Sequence, residues 1–387
     1  MPSFEIERIG DLQEDSGGSE FDLALADDQT LYAVSRTDNS YLKCSRYRLY
    51  PSGSISPQAS EQLSPQAANI CVTSPGTGNA FTCCTKYADS RLLVTEWHPG
   101  PSADAEGAEG THAAITSFAP EITVIPPGAE GPGKNTSSKF PNGQVFVTAH
   151  TTSGAQQLKV SAWLSGNVIG VQQLVSATDS KRHTQIAIAA HKVDEQEQVL
   201  TFITATRSDG YKLRLANWRL TLTKSQEPTL ERISEALTDD TISEVSATVF
   251  SRATGDCVAT AIVREGKLVL ITWKIGADGS LTRWLEATAG AAAGIDVVNL
   301  RSTDIAVACR DSSDKLRVIY WRFPVNNSDP QVVVRMGTAT AGRLDNQSAV
   351  AIAHTKSTVQ KPGDSVVACK TSAGKMKLIR FRLSRGE

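Results

Sequence analysis

Long apolar runs are missing from this 387-residue chain, and no segment approaches the roughly 20 residues that a membrane-spanning helix needs. The first residues, Met1-Pro2-Ser3-Phe4-Glu5, carry neither the basic nor the apolar region of a secretory leader. An excess of one charge is missing as well. The chain has 39 Lys and Arg against 41 Asp and Glu, a net charge of −2, so the protein as a whole offers nucleic acid no electrostatic hold. Neither a membrane nor a nucleic-acid partner is expected. Cysteine is sparse and odd in number, and no two of the seven form a CxxC pair. Cys44, Cys71, Cys83, Cys84, Cys257, Cys309 and Cys369 fall mostly inside strand-like runs, where a thiol acts as a small apolar filler. No disulfide and no zinc site are expected, and the setting is read as reducing and cytoplasmic. The chain contains no GxSxG, HExxH, P-loop or Rossmann fingerprint in a usable context. No metal or other cofactor is indicated.

What is present is a repeat. Seven segments share a leucine-like residue followed five positions later by an aromatic: LKCSRY ending at Tyr47, LLVTEW at Trp97, LKVSAW at Trp163, LRLANW at Trp218, LVLITW at Trp273, LRVIYW at Trp321 and MKLIRF at Phe381. The aromatics lie 50, 66, 55, 55, 48 and 60 residues apart, a period that suits a four-stranded propeller blade with variable loops. Each of these strands follows another that ends in a basic residue: Arg36, Lys86, His150, Arg207, Arg264, Arg310 and Lys370. From basic residue to aromatic the distance is 11 in five repeats, 13 in the third and 9 in the fifth. All are odd, so every side chain keeps its face when the hairpin changes length by two. Turn chemistry such as Ser208-Asp209-Gly210 and Ser372-Ala373-Gly374 joins the two strands.

An inner strand precedes each pair (DLALA, NICV, EITV, QIAIA, EVSATV, DVVNL, SAVAIA), and a more polar outer strand follows it. No convincing helix is visible. The chain ends on a third strand, and Glu7-Arg8-Ile9 aligns with Glu231-Arg232-Ile233, Thr282-Arg283-Trp284 and Val334-Arg335-Met336 of the fourth strands. Residues 3–11 are therefore expected to complete the last blade, leaving no open edge. The expectation is one all-β domain over residues 1–387: a monomeric, seven-bladed β-propeller of four-stranded antiparallel blades, its ring closed by the N-terminal strand. Gly, Pro, Ala and Glu dominate residues 99–114 and 126–142, which read as long loops on the face opposite the basic residues.

The repeat resembles seven-bladed β-propellers as a superfamily over essentially the whole chain. The Trp-Asp ending and Gly-His opening of WD40 blades are absent, as is the double glycine of kelch blades. Bacterial seven-bladed propeller lectins are similar in blade count and in having one Trp-rich strand per repeat. No binding motif here maps onto theirs, so the resemblance implies fold only.

On that fold the seven basic residues form a ring at one face, the top, beside the starts of the inner strands: Asp22, Asn69, Glu121, Gln185, Glu244, Asp296 and Ser348. Asp22 with Arg36, Glu121 with His150, Glu244 with Arg264 and Asp296 with Arg310 are expected cross-strand pairs. Such pairs can be stitches that satisfy strand ends, or they can line a ligand site at the channel mouth. Five tryptophans sit at the repeat landmark and read as blade packing. Arg91, Lys212, Lys267, Lys315 and Lys375 add a second row of cations after the turns.

Three functions remain open. A binding module would use Arg36, Arg182, Arg207, Arg264, Arg310, Lys370, Asp22, Glu244 and Asp296 to hold a polar or anionic small molecule, a glycan or a protein segment, with several equivalent sites. An enzyme would use Glu121, His150 and His183 in the sector where the repeat is least regular. A scaffold would use the two long loops. His191 and His354, at equivalent inner-strand ends on the opposite face, are too few for a metal.

Overall fold

The computed structural model describes residues 4–18, 20–74, 79–86, 91–99, 108–117, 120–124, 144–152, 155–166, 170–194, 199–222, 227–325, 331–346, 348–355 and 363–385. Among them the fold is all-β, interrupted only by the 3-10 turn Asp209–Tyr211. Five sheets form, and all pairing within them is antiparallel. Three have four strands: Glu244–Arg252 to Leu281–Ala291, Ala293–Arg301 to Val334–Arg343, and a sheet ordered Phe4–Gly17, Lys375–Arg385, Asp364–Lys370, Val350–His354. In that last sheet the N-terminal strand lies beside the C-terminal one, with Ile6 opposite Leu383 and Arg8 opposite Phe381.

The other two sheets have seven strands because one long strand in each changes partner midway. Residues of Ile55–Thr73 up to Gln66 pair with Tyr41–Leu49, and from Ala67 onward they pair with Ala80–Lys86. Residues of Gly170–Asp194 up to Arg182 pair with Gln157–Gly166, and from His183 onward with Val199–Ser208. One expected loop is shorter than its composition implied. The strand Ala108–Ser117 pairs with Arg91–Pro99, so 108–114 is ladder rather than loop. The other, 126–142, lies outside the described residues.

The repeat fixes register. Each landmark aromatic stands opposite the start of the strand before it: Trp163 opposite Phe146, Trp218 opposite Phe202, Trp273 opposite Val258, Trp321 opposite Ile305. On its other side a β-bulge recurs in the outer strand. Trp218 faces Arg232 while Asn217 faces Ser234, which leaves Ile233 as the extra residue. The same slip leaves out Trp284, Met336 and Ile9. The aligned triplets Glu231-Arg232-Ile233 and Glu7-Arg8-Ile9 thus mark a repeated bulge, which bends and twists each outer strand alike.

Four landmark indoles are fixed by their one polar atom. Trp97 donates to Thr82, Trp163 to Thr148, Trp218 to Thr204 and Trp273 to Thr260, at 2.8–3.3 Å. Each ring is thereby buried with its N–H satisfied.

Among the described residues the core consists of seven hydrophobic clusters, six of them formed between strands close to one another along the chain. In LVLITW, Leu268 and Leu270 pack toward Ile305 and Trp321, while Val269, Ile271 and Trp273 pack toward Ala187 and Leu215. Burial on both faces is why these strands read as continuous apolar runs rather than alternating ones. The seventh joins Phe21, Leu23 and Ala33 near the N-terminus to Ala351, Val366 and Leu378 near the C-terminus. All seven cysteines are buried, and none forms a disulfide. Among the described residues no helix is long and apolar enough to cross a membrane.

Candidate functional site

The acidic residues of the inner strands reach sideways, not across to the basic residues of the next strand. Asp22 accepts from the N–H of Val72 at 2.7 Å and of Leu23 at 2.8 Å. Asp296 accepts from Ile352 N–H at 2.8 Å and from Ser246 Oγ at 2.7 Å, and Glu244 from Ile295 N–H at 3.1 Å. Inner strands are sheet edges, and these carboxylates satisfy N–H groups that the neighbouring edge would leave bare. Burial pushes Asp22 up to about 7, with the Asp296 charge adding to the rise, and Asp296 itself up to about 6. Burial also raises Glu244.

Among the described residues Asp22, Glu244 and Asp296 form no ion pair with Arg36, Arg264 and Arg310, and register is the reason. Asp22 lies opposite Val34, Glu121 opposite Ala149, Glu244 opposite Val263 and Asp296 opposite Ala308, each one or two residues short of the basic side chain. The basic residues find other acids instead. Arg36 pairs with Glu20 at 2.9 Å, Arg310 with Asp314 at 2.6 Å and Lys370 with Asp345 at 3.8 Å. Arg264 binds Asp240 at 2.5 Å and Glu286, and Arg283 binds the same two carboxylates. Although burial pushes Asp240 up, these guanidiniums hold it below the usual carboxylate range.

Of the acid–base candidates, the side chains of His150 and His183 are described. His150 is fully buried, with neither ring nitrogen hydrogen-bonded among the described residues, and burial with the nearby Lys159 charge lowers it to about 3. His183 is buried too, with Nδ1 2.9 Å from Thr206 Oγ1 and Nε2 3.3 Å from Arg214. Burial and the Arg214 charge lower it to about 4. Both rings are buried, and burial disfavours the charged form of each. The backbone of Glu121 pairs with Ala149, while its side chain lies outside the described residues. Arg182 is exposed and donates to Gln156.

His183 belongs to a buried network that sequence reading missed. Arg214 reaches Asp179 at 2.6 Å as well as Glu235, and Arg232 reaches Asp179 at 2.5 Å. Among the described residues no group of three or more His, Cys, Asp or Glu is placed to hold a metal ion.

Arg207 differs from its counterparts. Among the described residues it makes no ion pair: Nε donates to Thr184 Oγ1 at 2.8 Å and Nη1 to the Ser243 carbonyl at 2.9 Å. Its guanidinium lies 5.2 Å from the centre of the Tyr211 ring. These two residues, with Asp239, Asp240, Ser243 and Arg264, line an open cleft of about 770 Å3. Arg207 and Arg264 were expected at a site; Tyr211 and Asp240 were not. Comparing hairpins could have found Tyr211. Four residues after the basic position stand Ser40, Asp314 and Gly374 in other repeats, and only this one of the four carries an aromatic.

No family model matches the chain, and no curated protein matches it. Solved structures do. AofleA from Arthrobotrys oligospora superposes with a TM-score of 0.50 at 9% identity, covering 88% of this chain and 92% of that one. A variant of it with three arginines replaced by alanine scores 0.51, with the same identity and coverage. The SapL1 lectin, solved with alpha methyl fucoside, scores 0.47 at 10% identity over 82% of this chain and 95% of that one. At such identities the likeness is one of fold. The chain is a propeller-like assembly of antiparallel sheets.

Proposed function

We propose that the chain is a single seven-bladed propeller acting as a binding module, which holds a polar, glycan-like ligand on the face that carries Arg207 and Arg264. Dividing the two long strands where they change partner turns five sheets into seven four-stranded units. The cluster shared by Phe21 and Ala351 and the pairing of Phe4–Gly17 with Lys375–Arg385 support a closed ring. The buried, unbridged thiols suit the reducing compartment expected from the sequence.

The binding reading rests on the open cleft beside Arg207, which forms no ion pair among the described residues. Most of the ring is not free in this way. Its acids stitch neighbouring inner strands, and Arg36, Arg264, Arg310 and Lys370 are paired. A guanidinium beside an aromatic ring and hydroxyl-accepting carboxylates is chemistry that suits saccharides, with donors, acceptors and an apolar face within one cleft. Labelled full-length protein applied to a glycan array tests this. Binding to a defined saccharide class, lost in Arg207→Gln while the melting curve is unchanged, is expected. An array without signal, or signal indifferent to Arg207→Gln, overturns it.

A further inference from the structure

The cleft beside Tyr211 carries a more specific assignment. Tyr211 occupies the left-handed region at φ 62°, as do Ser40 at 66°, Asp314 at 56° and Gly374 at 81° in equivalent hairpins. Small or short polar residues suit that conformation, and a bulky aromatic is strained in it. The ring is nevertheless 61% exposed, so it contributes little to the core. Strain and exposed apolar surface at one hairpin tip, with no return in packing, point to a ligand.

The charges around the ring narrow the ligand's chemistry. Nη2 of Arg207 has no hydrogen-bond partner among the described residues, while Nε and Nη1 are fixed on neutral oxygens. The guanidinium is thus oriented and, although Glu244 shares its field, it forms no ion pair among the described residues, as a carboxylate receptor requires. The remaining cations are matched by acids. Arg264 and Arg283 share Asp240 and Glu286, and Lys212 lies 3.8 Å from the exposed Asp239. A polyanion would meet Asp239 and Glu265 at the rim and gain nothing. A ligand with one carboxylate and several hydroxyls can place the first on Arg207 and the others on Asp239 and the Ser243 edge.

We propose that this cleft takes one saccharide bearing a single carboxylate, with Arg207 on the carboxylate and the Tyr211 ring against the pyranose face. The assignment rests on the binding reading above and sharpens it to one site per chain, since Ser40, Asp314 and Gly374 offer no ring. Acidic sugars of the uronic type are the class expected.

Calorimetric titration of the full chain with methyl β-glucuronide, methyl β-glucoside and a tri-aspartate peptide separates the alternatives. Glucuronide should bind at one per chain, at least tenfold more tightly than glucoside or peptide. Arg207→Gln and Tyr211→Gly should each weaken it at least tenfold. The second variant relieves the left-handed strain, so its fold is not at risk. Equal affinity for glucoside, with both lost in Arg207→Gln, overturns the carboxylate while leaving the binding module standing. Preference for the peptide, a stoichiometry above one, or glucuronide binding indifferent to both variants overturns the assignment. If none of the three probes binds and the glycan array is also blank, the binding reading falls with it.

Discussion

Replacing Asp22 with asparagine should remove a measurable part of the protein's dependence on pH. In the fold this carboxyl titrates at about 7 against 3.8 for an ordinary aspartate. Burial is the main cause and the Asp296 charge adds to it, while hydrogen bonds from Val72 and Leu23 oppose it. The folded pKa lies above the unfolded one, so the folded state keeps the proton longer. The stabilisation from this group is therefore fully present below about pH 4, declines as pH rises, and is lost through about pH 7. Roughly three units at about 1.4 kcal/mol each set an upper bound of about 4 kcal/mol. Asparagine is neutral throughout but keeps only one acceptor for two N–H donors, a loss of about 1–2 kcal/mol. Urea unfolding followed by tryptophan fluorescence should find Asp22→Asn less stable than wild type at pH 4 and more stable at pH 8. Asp296→Asn should in turn lower the pH at which Asp22 titrates. If wild type and Asp22→Asn lose stability in parallel between pH 4 and 8, the carboxylate stitch is not the source of the slope.

Two further substitutions probe the frame around the site. Arg214→Met leaves Asp179 buried with Arg232 as its remaining cation, and should cost about 3–5 kcal/mol in chemical denaturation. Removing that guanidinium should also raise the His183 titration point above about 4, visible in an NMR titration of the ring protons. Gly53 has φ 98°, and a Cβ there would sit 2.3 Å from the carbonyl oxygen of Ile9 on the N-terminal strand. Gly53→Ala should therefore lower stability by about 1–3 kcal/mol in thermal melts. An unchanged melt would argue against a tight seam between the N-terminal strand and the Tyr50–Ser54 turn.

The strands and their faces were legible because repetition averages out local ambiguity. LRLANW at Trp218 is weak evidence alone, but seven segments with odd hairpin spacings admit one register. The Glu7-Arg8-Ile9 triplet was legible for the same reason: it matches outer strands with the same bulge opposite the same aromatic. Partners across the seams were not legible. Pairing Asp22 with Arg36 assumed interaction within one hairpin, whereas the side chain turns to Val72, 50 residues away. For His150 and His183 the sequence shows residue type and not depth, and both are buried.

By itself, then, the sequence determined the β-strands, their period and their hairpins, since these depend on neighbours within one repeat. Tertiary structure decided which charges remain unsatisfied. Arg36, Arg207, Arg264 and Arg310 occupy one position in the repeat, yet three are neutralised by acids and Arg207 is held by a hydroxyl and a carbonyl. Coulomb attraction falls off with distance and with access to water, so a cation's availability depends on what the adjoining sheet and turns bring within about 4 Å of it. That distance is set only when the strands pack side by side.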